Sequence, residues 1–116
     1  MATPPVYTRR FFGQPAITAV QFAYVPSGKR WIMRDIDVYA NNPLGAYSKI
    51  WVIDRLTGGT LWWHGWNTGE QSTGQFRGRQ VLTYSGGAGG LIVQVDTLEG
   101  VDCYISGYEF DDPSDV

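Results

Sequence analysis

The chain has 116 residues, of which 43% are hydrophobic, 15% aromatic and only 17% charged, and its formal net charge is −2 at pH 7. This length fits one domain, because compact domains most often run to about 100–150 residues. The acidic balance does not provide the positive field that binding to phosphates requires, so we expect no nucleic-acid partner. Few charges beside many aromatic residues favour a protein that works by contact with another surface.

The start of the sequence and its single cysteine exclude further classes. The first residues, Met-Ala-Thr-Pro-Pro, do not have the basic and apolar segments of a signal peptide. No apolar run approaches the roughly 20 residues that cross a bilayer, so we expect a soluble protein made in the cytoplasm, with no membrane partner. Cys103 has no partner for an internal disulfide. We interpret it as a small buried hydrophobic residue on the strand face of Val101 and Ile105.

Short β-rich runs alternate with turn clusters along the whole chain. Fifteen glycines and six prolines interrupt the sequence too often for a long helix. Residues 1–14 contain Phe11 and Phe12 but no alternation, and they predict an extended arm that packs on its own domain or on a neighbour's. The predicted strands are 16–24, 30–40, 47–54, 60–66, 75–84, 91–96 and 101–110. Residues 111–116 (DDPSDV) predict a short acidic tail, mobile unless something holds it.

These runs predict an all-β domain over residues 15–110, an antiparallel sandwich or jelly roll of seven strands, or of eight if the run 75–84 breaks at Gly78. The segment 67–73 is predicted as a polar loop. The run 30–40 alternates as a half-buried strand does, with apolar residues on one face and aspartates on the other. The apolar face carries Ile32, Ile36 and Val38, and the opposite face carries Asp35 and Asp37.

Three patterns bear on catalysis or metal binding, and each lacks a required part. His64 has neither a Gly-x-Ser-x-Gly motif nor a second histidine with it, so we interpret it as a structural or interface residue. Asp35 and Asp37 could form a glycosidase or calcium site, but they lack the calcium-loop spacing and fit a solvated strand face. Ser85–Gly90 (SGGAGG) lacks the lysine of a phosphate-binding loop and predicts an inter-strand turn. We therefore predict no catalytic residue, no metal, no cofactor and no enzymatic activity.

The run 62–66 (WWHGW) is the most informative segment for binding. Adjacent residues of a strand point to opposite faces, so Trp62 and Trp63 cannot both fill one core. One of them must meet a partner subunit, a sugar or a covering segment of the same chain. The strand 47–54 is also apolar on both faces. The candidate interface or binding residues are Phe11, Phe12, Trp51, Trp62, Trp63, His64 and Trp66.

Three segments have a distinctive style of strand and turn. They are 25–39 (VPSGKRWIMRDIDVY), 76–95 (FRGRQVL, a glycine-rich turn and LIVQV) and 104–108 (YISGY). Together they resemble small β-sandwich virion proteins of tailed bacteriophages, over residues 16–110. The resemblance implies a non-enzymatic structural virion protein that decorates or cements the capsid, is a minor capsid protein, or belongs to the tail.

The resemblance also implies partners and a location. We expect self-association as a homotrimer or another homo-oligomer, and binding to the major capsid protein or to tail components. The protein would then be part of the virion, after synthesis in the host bacterial cytoplasm. The residues leave a second hypothesis open, a carbohydrate- or receptor-binding module, for example of a phage tail, in which the same tryptophans stack on sugar rings.

Overall fold

The computed structural model describes residues 6–14, 20–41, 48–67, 71–96 and 101–112, which consist almost entirely of β-strands. Within these ranges, no helix has the length and hydropathy of a membrane span. The strands are β1 (Val6–Gln14), β2 (Val20–Tyr24), β3 (Lys29–Asn41), β4 (Ser48–Asp54), β5 (Thr60–Trp66), β6 (Gln71–Thr83), β7 (Gly90–Asp96) and β8 (Val101–Asp111).

The eight strands form two antiparallel four-stranded sheets. The first sheet has the order β1-β8-β3-β6, and the second has the order β2-β7-β4-β5. The pairs β1-β8, β2-β7, β3-β6 and β4-β5 join the first half of the chain to the second half, as in one long hairpin that is then wrapped into two layers. This arrangement is the jelly roll. The predicted all-β sandwich or jelly roll is confirmed, with eight strands.

The eighth strand comes from the N-terminal segment and not from a break at Gly78. β6 runs without interruption from Gln71 to Thr83, so it also includes the end of the predicted polar loop 67–73. The prediction was wrong there because the alternation of this polar segment is carried by side chains of low hydropathy.

Residues 6–14 of the predicted arm form β1, which pairs with β8 at the edge of the first sheet. The register of this pair shifts between Arg10 and Phe12, and the neighbours Phe11 and Phe12 are both buried. A bulge of this kind removes the strict alternation by which a strand is recognised in sequence. Of the two packing choices left open for the arm, the described part packs on its own domain.

The core lies between the two sheets. Aromatic side chains attach the edge strand β1 to this core. Phe11 of β1 stacks on Trp31 of β3, with ring centroids 4.2 Å apart and an angle of 8° between the ring planes. Trp31 is 1% exposed, and its indole nitrogen donates a hydrogen bond of 2.9 Å to Glu109 Oε1. Burial of such side chains is worth about 1.5–3 kcal/mol each, so this stack fastens the edge strand firmly.

The alternation of β3 changes phase in the middle of the strand. Its register with both neighbouring strands shifts between Met33 and Asp35, so Met33 before the shift and Ile36 after it both point into the core. Ile32, which was predicted on the face of Ile36, lies on the outer face beside Val81. The prediction was wrong at this residue because a bulge reverses the parity of the strand.

The glycine-rich segment before β7 is an inter-strand turn, as predicted. Ser85–Gly87 forms a single 3-10 turn in which Gly86 and Gly87 have φ values of 67° and 95°. These values lie in the left-handed region that glycine adopts without strain.

The first two residues of the predicted acidic tail, Asp111 and Asp112, are attached to the sandwich by ion pairs. Asp111 ends β8 and forms an ion pair with Lys29. Asp112 is 8% exposed, and its Oδ2 lies 2.7 Å from Nη2 of Arg30. The rest of the predicted tail, residues 113–116, lies outside the described residues, as do residues 1–5 of the predicted arm.

Cys103 is fully buried on β8 between Val101 and Ile105, as predicted. Burial, aided by the charge of Asp37, raises the pKa of the thiol to about 12. Because the thiolate is the reactive form, we expect Cys103 to react with a disulfide reagent at neutral pH only when the domain opens. The absorbance of the thiolate that an aromatic disulfide reagent releases, followed in buffer and in denaturant, measures the rate of this reaction. Rapid labelling of the folded chain would contradict it.

Candidate contact surfaces

The outer face of the second sheet carries apolar side chains on all four strands. In each strand the residues that alternate with core residues point away from the core. Seven apolar side chains of this kind, which we call the aromatic face, come from β2, β7, β4 and β5. They are Val20, Phe22, Tyr24, Ile92, Trp51, Ile53 and Trp63.

The strand register makes the aromatic face continuous. One row across the sheet consists of Val20, Gln94, Trp51 and Trp63. The next row consists of Phe22, Ile92, Ile53 and Thr60. Four of the seven side chains are about half exposed: Val20 at 47%, Phe22 at 49%, and Tyr24 and Trp63 at 54%. The exposed apolar area is on the order of 400 Å², comparable to the largest patch on a typical monomer, which is often functional.

Charged residues flank the aromatic face at its ends. Lys49 pairs in register with Asp96, and its Nζ lies 5.9 Å from the ring centroid of Trp63. At the other end, the guanidinium carbon of Arg55 lies 4.5 Å from the ring centroid of Tyr24. The face therefore has apolar side chains around one central glutamine, Gln94, and charged residues at its border, and a charged border is typical of protein interfaces.

The outer face of the first sheet carries a paired charge cluster as well as the exposed hydrophobic side chains of Tyr39, Val81 and Tyr108. Arg77 lies between two aspartates, with Nη2 2.7 Å from Asp37 Oδ1 and Nε 3.5 Å from Asp35 Oδ1. The hydrogen bond to Asp37 raises the pKa of Arg77. The two aspartates lie on a solvated strand face, as predicted. In the part of the chain that the structure describes, no three His, Cys, Asp or Glu side chains are grouped so as to bind a metal ion.

The inner face of β5 carries a stack of three rings. The ring centroids of Trp62 and His64 are 6.0 Å apart, and those of His64 and Trp66 are 5.9 Å apart, with interplanar angles of 4° and 22°. Trp62 is partly buried against the core, whereas Trp63 is 54% exposed. The two adjacent tryptophans therefore point to opposite faces, as predicted.

His64 connects the edges of the two sheets. Its Nε2 lies 2.8 Å from Oγ of Ser72 on β6. Gly74, two residues further along β6, leaves room for the imidazole, since a Cβ atom at that position would lie 2.6 Å from the ring. Ser72 was not predicted as a partner, because it falls in the segment predicted as a loop. The signal that would have found it is the alternation of small and polar residues through 71–75.

A serine beside a histidine is also part of a nucleophilic site, but the remaining parts are not present in the described ranges. A triad needs a carboxylate on the second imidazole nitrogen, and none of the described carboxylates bonds to His64. The ring is flanked by Trp62 and Trp66. The geometry fits a structural contact between β5 and β6.

The burial of His64 is expected to make the stability of the domain depend on pH. Burial lowers the pKa of His64 below its usual 6.5, so the unfolded chain binds the proton more readily than the folded chain. The free energy of unfolding should therefore be highest above about pH 6.5 and fall as the pH is lowered through the pKa of the folded state. The variant His64→Gln should lose this part of the pH dependence. Urea unfolding at about pH 7.5 and about pH 5 gives the change in the free energy of unfolding between the two pH values. An equal change for the wild type and for His64→Gln would contradict the prediction.

The structure separates the seven candidate residues into three places. Trp51 and Trp63 lie on the aromatic face, and Trp62 and His64 lie on the inner face of β5. Trp66 lies on the same inner face and is 1% exposed, and Phe11 and Phe12 lie in the core of the domain, where they are 8% and 7% exposed. The exposed residues of β2 were not predicted as candidates, although Val20, Phe22 and Tyr24 share a side of a short alternating strand.

No protein-family model matches the sequence, and no curated protein matches it. Among solved structures, the chain is similar to the virus-like particle of the extra small virus of the giant freshwater prawn Macrobrachium rosenbergii, with a TM-score of 0.49, 14% identity, and coverage of 97% of this chain and 81% of that chain. It is also similar to Bacillus endospore appendages, a family of disulfide-linked pili, with a TM-score of 0.47, 8% identity, and coverage of 96% of this chain and 92% of that chain. A third similar structure is the VP2 subviral particle of infectious bursal disease virus, with a TM-score of 0.40, 13% identity, and coverage of 97% of this chain and 33% of that chain.

Proposed function

We propose that the protein is a non-enzymatic structural component of the virion of a tailed bacteriophage, which binds and stabilises the capsid surface as a homo-oligomer. The observation that carries this proposal is the aromatic face. The outer face of the second sheet presents half-exposed Phe22, Tyr24 and Trp63. The outer face of the first sheet combines Tyr39, Val81 and Tyr108 with the ion pair of Arg77 and Asp37. A surface of this kind is stabilised when another surface covers it.

The size of the aromatic face fits a role in contact. Covering about 400 Å² of apolar surface contributes on the order of 10 kcal/mol before the costs of association. An oligomer held together through this face presents several copies of its remaining surfaces to the capsid at once, and each further contact is then made at high effective concentration. The protein then raises the stability of the shell without any chemical step.

The polar and thiol groups that were considered for chemistry support the same proposal, because the structure uses each of them in a contact within the domain or buries it. Ser72 and His64 connect the sheets, Asp35 and Asp37 pair with Arg77, and Cys103 is buried. The similarity of residues 16–110 to small β-sandwich virion proteins supports the assignment to a tailed phage.

The composition and stability of phage particles test the proposal. Purified particles of the phage that encodes the chain should contain it in a fixed number of copies relative to the major capsid protein. Particles assembled without it should release their DNA at a lower temperature, and addition of the purified chain should restore the release temperature. Particles that contain no copies, or that release DNA at the same temperature with and without the chain, would contradict the proposal.

A second candidate function is a carbohydrate-binding module of a phage tail, and the surroundings of Trp63 favour it. An exposed indole offers a stacking surface for a sugar ring, and two exposed polar side chains, Gln94 in the same row and Asp96 in the neighbouring row, offer a donor and acceptors. Binding to a glycan array that is lost in Trp63→Ala, together with particles that contain no capsid-bound copies, would favour this function over the first.

A further inference from the structure

We infer that the aromatic face binds the aromatic face of a second copy of this chain, with the two sheets packed face to face. This inference deepens the proposed function, since it rests on the self-association contained in it. It specifies the surface that two copies share, and it leaves the outer face of the first sheet, with Tyr39, Val81 and Tyr108, exposed on both sides of the dimer for contact with the capsid.

The area of the face is sufficient for a pair of copies. Four strands about 4.8 Å apart, each of five to seven residues, make a surface of roughly 15–20 Å by 17–24 Å. Two such surfaces in contact bury on the order of 1,000 Å² in total, with the borders included, which is close to the lower limit of a specific interface. Sheets pack against each other at a spacing of about 10 Å, which the half-exposed side chains of the two faces would fill.

The aromatic face contains one polar side chain, Gln94, whose hydrogen bonds a second copy can supply. Gln94 lies on the central strand β7, between Val20 and Trp51, and is exposed. An apolar partner would bury its amide without a hydrogen-bond partner, which costs free energy. The amide of a second Gln94 offers both a donor and an acceptor, so two glutamines near a two-fold axis bond to each other.

The charges on the border also permit two identical copies to meet. Lys49 and Asp96 are register partners at one end of the face, so this end carries both signs. The positive charge of Arg55 lies over the ring of Tyr24 at the other end, where it stabilises a ring that the dimer would bury. A face with charges of only one sign would repel its own copy, and this face does not have that property.

Cross-linking of single engineered cysteines tests the inference. Gln94→Cys places a thiol near the centre of the aromatic face, and Gln75→Cys places one on the outer face of the first sheet, where Gln75 is also exposed. Facing sheets about 10 Å apart are too distant for a disulfide, whose Cα atoms lie within about 7 Å, so a bis-maleimide with a short spacer is the suitable reagent. The native Cys103 is fully buried, so we expect it not to react in the folded chain.

The expected result is a covalent dimer, twice 12.9 kDa, for Gln94→Cys and a monomeric product for the matched variant Gln75→Cys. Equal yields of dimer from the two variants would overturn the inference, as would the absence of dimer from Gln94→Cys. Circular dichroism of both variants confirms that they are folded before the comparison.

Incorporation of the wild-type chain into phage particles separates this inference from the proposed function. A chain that enters particles but gives no dimer through Gln94→Cys would overturn the face-to-face pairing and leave the virion role standing. A dimer through Gln94→Cys with no copies in particles would support the pairing and contradict the virion role.

Discussion

Replacement of Gly107 by alanine is expected to destabilise the domain by more than about 3 kcal/mol, because the new methyl group has no space between two strands. Gly107 of β8 faces Met33 of β3 beside the bulge. A Cβ atom at this position would lie 1.9 Å from the carbonyl oxygen of Ile32 and 3.0 Å from the amide nitrogen of Arg34. Both atoms belong to the backbone, so the strands must separate to admit the methyl group.

Gly59→Ala is the matched control for Gly107→Ala. Gly59 lies in the turn between β4 and β5, and the nearest atom to a Cβ there is Oγ1 of Thr57 at 3.4 Å, an ordinary contact. We expect a change within about 0.5 kcal/mol for this control. Urea unfolding of the two variants measures the difference, and a Gly107→Ala protein as stable as Gly59→Ala would contradict the close contact between β3 and β8.

The variant Trp31→Ala should lose about 3–5 kcal/mol of stability, a large share of the 5–15 kcal/mol of an ordinary domain. Trp31 is 1% exposed and stacks on Phe11, so its removal creates a cavity and releases the edge strand β1. The hydrogen bond from its indole to Glu109 is lost as well. The melting temperature should fall by about 15 °C or more.

Trp63→Ala provides the comparison for Trp31→Ala, since it removes the same side chain from a position that is 54% exposed. At protein concentrations low enough to dissociate the oligomer, we expect it to change stability by less than about 1 kcal/mol. Differential scanning calorimetry measures both variants. Equal losses for the two would contradict the assignment of Trp31 to the core and Trp63 to the surface.

The strand positions could be predicted from the sequence where alternation and turn residues agree. The run 91–96 alternates cleanly and is β7, and the turn Ser85–Gly87 carries the glycines that its backbone requires. Prediction failed where bulges change the parity of a strand, at Ile32 in β3 and at Phe11 in β1. A bulge depends on the register with neighbouring strands, and register is a long-range property that a local pattern does not contain.

The contact surface could be predicted only in part. The pair Trp62 and Trp63 had to point to opposite faces of a strand, and this follows from strand geometry alone. The contribution of β2 depends on the position of that strand at the edge of the second sheet, next to β7. Likewise, the partner of His64 is a serine on the other sheet, and the topology that brings them together is not visible in either segment.

Molar mass by light scattering tests most directly whether the aromatic face is a contact surface. Tyr24 on this face and Tyr39 on the outer face of the first sheet are exposed by 54% and 49%, so Tyr24→Asp and Tyr39→Asp are matched variants. We predict a multiple of 12.9 kDa for the wild type and for Tyr39→Asp, and 12.9 kDa for Tyr24→Asp. A wild-type chain that stays at 12.9 kDa at every concentration, or a Tyr24→Asp chain that keeps the wild-type mass, would contradict the account.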